Sequence, residues 1–260
     1  SRKRYVIAIK LGHLTMDPSY VDINFINENA SRPYLISNMI ISSDGNTLFT
    51  DGENSGLGSE IDKRLMGELR YHSDVVLNGA ETLRICGSSS LIRSQVLVSK
   101  RISNGKTAHP IASVLTNSGL LPLDNRFFTS NDFDSIVFLD HEADDSKFQN
   151  LKKHCKDVIS VPKEERAIYI LEYLKNFYNT EVVLLEGGPS INGIFFEDNL
   201  IDEYFITISP QIFIPESSFT SIKPTQFTGI LHQALDLISV QFSEDSGEIF
   251  LRYKKKNSNN

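Results

Sequence analysis

The stretch Val182 to Phe196, VVLLEGGPSINGIFF, carries one acidic residue and two glycines from a continuous apolar run straight into a helix start. Such a turn can bind anions. Glycine lets the backbone approach a phosphate closely, the first free N–H groups of the helix point at it, and the helix dipole favours negative charge. Pro189 at the first helical position suits a plain tight turn equally well, and by its physics alone a single Gly-Gly pair leans toward that plain turn. A second polar cluster runs from Ser42 to Ser59, SSDGNTLFTDGENSGLGS. Asp44-Gly45 and Asp51-Gly52 read most simply as hairpin turns, while the glycine content suits a loop folding over a ligand. Ser59 is placed to cap the following helix, with Asp62 three residues later partly completing a capping box. Arg70, at that helix's end, and Arg93, just before the strand-like QVLVS, are each explicable as a capping charge and an exposed loop charge. Two converging guanidinium groups would suit a phosphate, though nothing local makes these two converge.

Other chemistries find no support. The six histidines, His13, His72, His109, His141, His154 and His232, show no HxH, HxxxH or HExxH spacing, and Cys86 and Cys155 stand in unrelated contexts. Metal catalysis is therefore not expected. GxSxG, the Walker GxxxxGK[ST] and GxGxxG are all absent, which demotes serine hydrolase, P-loop kinase and Rossmann dehydrogenase. The formal net charge of −7 argues against general nucleic-acid binding. No apolar run approaches the length a membrane span needs, and the apolar stretch near the start is broken at Lys10 with no cleavage site following. A cytoplasmic location with both thiols reduced is the expectation.

The elements that must position these residues are legible from periodicity. Short β-rich apolar runs alternate with helical segments, the pattern of βα units around a mainly parallel sheet. Strands are expected at Tyr34 to Ile41, Val75 to Leu77, Ile111 to Leu115, Ile136 to Leu139, Val158 to Val161, Val182 to Leu185 and Tyr204 to Ile208. Leu237 to Phe242 and Glu248 to Tyr253 should form an antiparallel hairpin. Ile61, Leu65 and Leu69 make one helical stripe between Glu60 and Tyr71, and helices are also expected over Lys147 to Cys155 and Glu164 to Tyr178. Lys100 to Pro110 and Asn117 to Ser135 read as long connections. The chain is left undivided, in a length of 260 residues with 40% hydrophobic and 23% charged residues, an ordinary globular balance.

Read together, RPYLISNMIISSDG, the Gly-Glu-x-Ser segment, LRYHSD, VVLNGAETL and LLEGGPSINGIFFEDNLIDEYFITISPQIF, in that order over Arg32 to Phe213, resemble the pyrimidine reductases of riboflavin biosynthesis. The resemblance implies a three-layer αβα, dihydrofolate-reductase-like fold with a mainly parallel mixed sheet. It assigns residues 32–253 to the reductase domain, 1–31 to an extension of unknown role and 254–260 to a polar tail. It also implies NADPH-dependent reduction of a ribosylaminopyrimidine 5′-phosphate to its ribitylamino product, and assembly as a homodimer. Ile41, Thr82 and the turn Gly187, Gly188, Pro189, Ser190, Ile191, Asn192 and Gly193 would hold the cofactor. Ser55, Arg70, Arg93 and Glu186 would face the substrate, with the arginines on its phosphate. Glu186 and Asp44 are the candidate proton donors.

Two positions depart from the family pattern. Asn38 stands where many bacterial members carry Lys, and Cys86-Gly87-Ser88 replaces an Asp-Asp-Pro segment that contributes a cofactor contact. A reductase of another heterocyclic substrate on the same fold, or a non-catalytic nucleotide-binding relative, are the alternative readings.

Overall fold

The computed structural model describes residues 14, 15, 17–47, 57–212, 220–225 and 231–256. Among the described residues, ten strands form one sheet: β1 (Leu14–Thr15), β2 (Tyr34–Ser42), β3 (Val75–Gly79), β4 (Ile111–Thr116), β5 (Ser135–Asp140), β6 (Asp157–Val161), β7 (Val182–Leu185), β8 (Glu203–Ser209), β9 (Leu235–Phe242) and β10 (Ile249–Lys255). Their spatial order is β1-β9-β10-β8-β2-β7-β3-β4-β5-β6. Every pairing is parallel except those of β10, which runs antiparallel to both β8 and β9. The expected hairpin is therefore present. It sets one reversed strand into an otherwise parallel sheet.

Seven helices are described: α1 (Glu60–His72), α2 (Ala80–Cys86), α3 (Gln95–Ser103), α4 (Arg126–Thr129), α5 (Asp145–Leu151), α6 (Arg166–Tyr178) and α7 (Pro189–Glu197). Alternation along the strands divides them between the two faces. Val75, Leu77, Ile136, Phe138, Val183 and Leu185 pack with α6 and α7, whereas Val76, Leu184 and Ile36 meet Leu65 and Leu69 of α1. Val137, Leu139 and Val114 pack on that second side with Leu83, Phe127 and Leu151 of α2, α4 and α5. The result is the expected three-layer αβα arrangement, with both faces covered in the β2 to β6 part of the sheet while β9 is largely exposed.

One element differs in kind from its sequence expectation. QVLVS opens helix α3 rather than a strand. The valines favour strand, but the Ser94 side chain caps Leu97 N–H, and Leu97, Val98 and Arg101 are buried together at helical spacing. The fully buried Arg101 guanidinium donates to the carbonyl oxygens of Arg70, Tyr71 and Ser73 at the end of α1. Those contacts outweigh the weak β preference. The helix also occupies the start of the expected Lys100 to Pro110 connection, and α4 lies inside Asn117 to Ser135.

Residues 17–31 lie on the core. Tyr20 is buried edge-on against Phe205, and its N–H donates to Glu68 Oε2 at 2.6 Å. Ser19 N–H donates to Gln241 Oε1.

Candidate functional site

The site is built at the carboxyl ends of β2, β7 and β3, where open α/β sheets bind ligands. Past Leu185 the β3 to β7 ladder continues: Glu186 N–H donates to Leu77 O and Gly79 N–H donates to Gly187 O. These bonds hold the EGGP turn beside β3. Gly187 has φ of 88°, and a Cβ there would lie 2.7 Å from Met39 Sδ, so only glycine fits. The Gly187–Gly188 peptide bond is cis. Pro189 then opens α7 at its first position, with Gly188 as N-cap and no side-chain cap on the first N–H groups. Behind the turn, Lys223 N–H donates to Pro189 O and Asn192 Nδ2 to Ser221 O, laying residues 220–225 across α7.

A cleft of about 1260 Å³ opens in front of this turn, more than a small ligand requires. Its walls include Met39 and Ile40 of β2, Asp62, Met66 and Arg70 of α1, Asn78, Thr82, Glu186 and Gly188. Arg70 and Glu186 form a bidentate ion pair, Nε to Oε1 and Nη2 to Oε2 both at 2.7 Å, with side chains 12% and 9% exposed. Arg70 Nη1 also donates to Leu91 O. Arg93 lines the same cleft, but its guanidinium is 83% exposed and its acidic neighbour is Glu60, 4.0 Å away. One cleft thus collects both arginines, while their guanidinium groups keep separate partners.

The other sequence candidates are placed unevenly. Asp44 sits in the turn after β2, accepting from Ser42 Oγ and Asn46 Nδ2, and is not among the cleft's lining residues. The same is true of Ile41, whose neighbours Met39 and Ile40 line it instead. Ser55 lies outside the described residues. Cys86, Gly87 and Ser88, which replace Asp-Asp-Pro, line the cleft, and Ser88 Oγ accepts from Asn78 Nδ2 at 3.0 Å. Cys86 and Cys155 are both free thiols. Among the described residues no cluster of His, Cys, Asp and Glu could hold a metal ion, and no helix is long and apolar enough to cross a membrane.

Asp62, expected from the sequence only to complete a capping box, lines the cleft. The partial capping box expected of it does not form: Ser59 Oγ caps Ile61 and Asp62 N–H, but the Ser59 N–H and hydroxyl are taken by Glu248. The Asp62 carboxyl is left facing the cleft. Its Oδ1 accepts from Thr207 Oγ1 at 2.7 Å. Burial, with Glu248 and Glu186 nearby, pushes its pKa up to about 6, against the opposing effects of Thr207 and Lys63. The signal available in the sequence was its spacing, since Asp62, Met66 and Arg70 recur every four residues along one helix face.

A nucleotide cofactor fits this geometry. Thr82 Oγ1 lines the cleft, buried and without a hydrogen-bond partner, and the N-terminus of α7 lacks a side-chain cap. Both could be satisfied by phosphate or ribose oxygens.

Comparison with known proteins decides the family. The model of the RibD C-terminal domain matches residues 33–241, most of the chain. The chain belongs to the RibD C-terminal domain family. The match extends into β9, beyond the Phe213 limit of the motif resemblance. Relatives in the RibD C-terminal domain family include the 2,5-diamino-6-ribosylamino-4(3H)-pyrimidinone 5′-phosphate reductases of Archaeoglobus fulgidus, 26% identical over 70% of this chain and 82% of the relative, and of Methanothermobacter thermautotrophicus, 24% identical over 70% and 79%. Among solved structures, a pyrimidine reductase-like protein from Corynebacterium diphtheriae shares the fold with a TM-score of 0.76 at 22% identity, covering 87% of this chain and 93% of that one.

Proposed function

We propose that this chain is an NADPH-dependent reductase of a 5-amino-6-(5-phosphoribosylamino)pyrimidine, in its uracil or 2,5-diamino form, yielding the ribitylamino product. The observation that carries the reading is one cleft lined by two unlike sets of groups: the uncapped α7 N-terminus at Gly188 with the unpartnered Thr82, and the Arg70–Glu186 pair. Gly187 to Gly193, with Thr82, hold the cofactor, and Met39 and Ile40 stand in the cleft where Ile41 was expected. Its pyrophosphate rests on backbone N–H groups, leaving the arginines for the sugar phosphate.

A nicotinamide cofactor held there would supply the hydride, for C1 of the ribose in its open, imine-like form. What the chain contributes is position and charge. Glu186, fixed by Arg70, presents carboxylate oxygens to the pyrimidine's N–H groups. Arg93 and Arg70 take the phosphate, Arg70 by releasing one of its two bonds to Glu186, and Ser55 adds a hydroxyl. The 2,5-diamino form is the substrate of the archaeal relatives by name, and it is the first substrate to test.

The test is oxidation of NADPH, with NADH in parallel, by purified full-length chain on each pyrimidine phosphate. Turnover of either substrate is the expected result. NADPH binding without turnover of either points to a different heterocycle. In a folded Gly188→Val protein, calorimetry should find NADPH binding abolished, because a branched side chain fills the space the phosphate needs. Unchanged affinity removes the turn from the cofactor site.

A further inference from the structure

We propose that Asp62 is the proton donor of the reduction, delivering a proton from Oδ2 to the ribosylamino nitrogen as C1 is reduced. The inference rests on the reductase reading above. Among the described residues, Oδ1 is engaged by Thr207 and Oδ2 takes no hydrogen bond. Gly58 makes the room for it, since a Cβ at that position would stand 2.6 Å from Oδ2. The helix-capping role open to an acid at this position is performed by Glu248 instead. The carboxyl is thus left in the cleft with one oxygen uncommitted.

The alternatives are otherwise employed. Both Glu186 oxygens accept from Arg70, so this carboxylate is an acceptor. Asp44 accepts from Ser42 and Asn46 and is not itself among the cleft's lining residues. The groups facing Asp62 are Lys63 on its own helix, Glu186 after β7, Glu248 before β10 and the hydroxyl of Thr207 on β8. Burial first, and then the nearby Glu248 and Glu186 carboxylates, favour its protonated form.

The step balances. A dihydronicotinamide gives a hydride to C1 and is oxidised to nicotinamide, and the C=N carbon is reduced. The C=N π pair moves onto nitrogen, which forms its N–H bond with the proton released by Asp62. Solvent returns a proton to the carboxylate.

Kinetics of Asp62→Asn and Asp62→Glu across pH 5 to 9 test this. Asp62→Asn should lower kcat by about 10²- to 10⁴-fold, the usual range for a general acid, with NADPH affinity within twofold of wild type by fluorescence titration. Asp62→Glu should restore part of the rate. The wild-type kcat/KM should fall on the alkaline side, and Thr207→Val should move that limb to higher pH by removing a hydrogen bond that favours the charged form. Asp62→Asn activity within threefold of wild type overturns the proposal. If Asp62→Asn does not fold, an alkaline limb unmoved by Thr207→Val overturns it. Wild-type protein that binds NADPH but reduces neither pyrimidine phosphate overturns the reductase reading, and the proton donor with it; active wild type with an unaffected Asp62→Asn overturns the proton donor alone.

Discussion

Arg70 and Glu186 act as one unit in any measurement, because each is the other's bidentate partner at 2.7 Å in a mostly dry setting. Removing Arg70 strands a carboxylate that is 9% exposed, which costs about 3–5 kcal/mol of stability in comparable pairs. Urea denaturation of Arg70→Met should show a loss of that order, largely recovered in the Arg70→Met/Glu186→Met double variant. Arg93 is the cleaner probe of the phosphate, since its 83% exposed side chain supports little else. Arg93→Ala should weaken binding of the phosphorylated substrate by about 1.5 to 3 kcal/mol, roughly ten- to a hundredfold, and should hardly affect the dephosphorylated one. Equal losses for both substrates would remove Arg93 from the phosphate site. Asp62 has a stability signature separate from its chemistry. Its folded pKa, at about 6, lies above the ordinary carboxylate value of 3.8, so its stabilising contribution is complete below about pH 4 and is lost as pH rises through 6. Asp62→Asn, which can still accept from Thr207, should therefore be more stable relative to wild type at pH 8 than at pH 4, by at most about 3 kcal/mol. Thermal melts at both pH values measure it.

At the scale of elements, the turn and helix that open the cleft are held from behind by residues 220–225. Gly193 in α7 faces that segment so closely that a Cβ would overlap the Lys223 carbonyl oxygen. Glycine to alanine inside a helix ordinarily stabilises by up to about 1 kcal/mol. Here Gly193→Ala should instead destabilise by about 1–3 kcal/mol, because the backbone of residues 221–223 must move away. A net gain in urea denaturation would mean that this segment gives way without cost. Helix α1 is organised by similar remote contacts. Glu248, from the turn before β10, closes its N-terminus through Ser59, and Arg101 of α3 closes its C-terminus. The stripe Leu65 and Leu69 predicts the helix. These two distant residues fix where its polar face, with Asp62, Met66 and Arg70, stands over the cleft.

Across the whole molecule, the sheet brings the carboxyl ends of β2, β7 and β3 side by side although they are far apart in the chain. On the proposed reading, NADPH bound at those ends would stabilise only the folded protein. At one hundred times its dissociation constant the gain is about 2.7 kcal/mol, a rise in Tm of roughly 5–10 °C for a chain of this size. A melting curve unmoved by NADPH would count against a cofactor site on this chain. Strands β2 to β10, helices α1, α5 and α6 and the Pro189 start of α7 were legible in the amino-acid order, because period-two and period-3.6 apolar patterns, Ser59 and Pro189 are local signals. Helix α3 was not, since its burial depends on Arg101 reaching the carbonyls of another helix. The EGGP turn was readable from its own residues as a turn opening a helix, with anion binding the less favoured of its two readings. That Glu186 is clamped by Arg70, 116 positions away, and that Glu248 relieves Asp62 of a capping role, could not. Side-chain type and spacing along one element are written in the local order. Which oxygen is left without a partner is settled only when strands distant in the chain are hydrogen-bonded side by side, because that register decides which groups can reach each other.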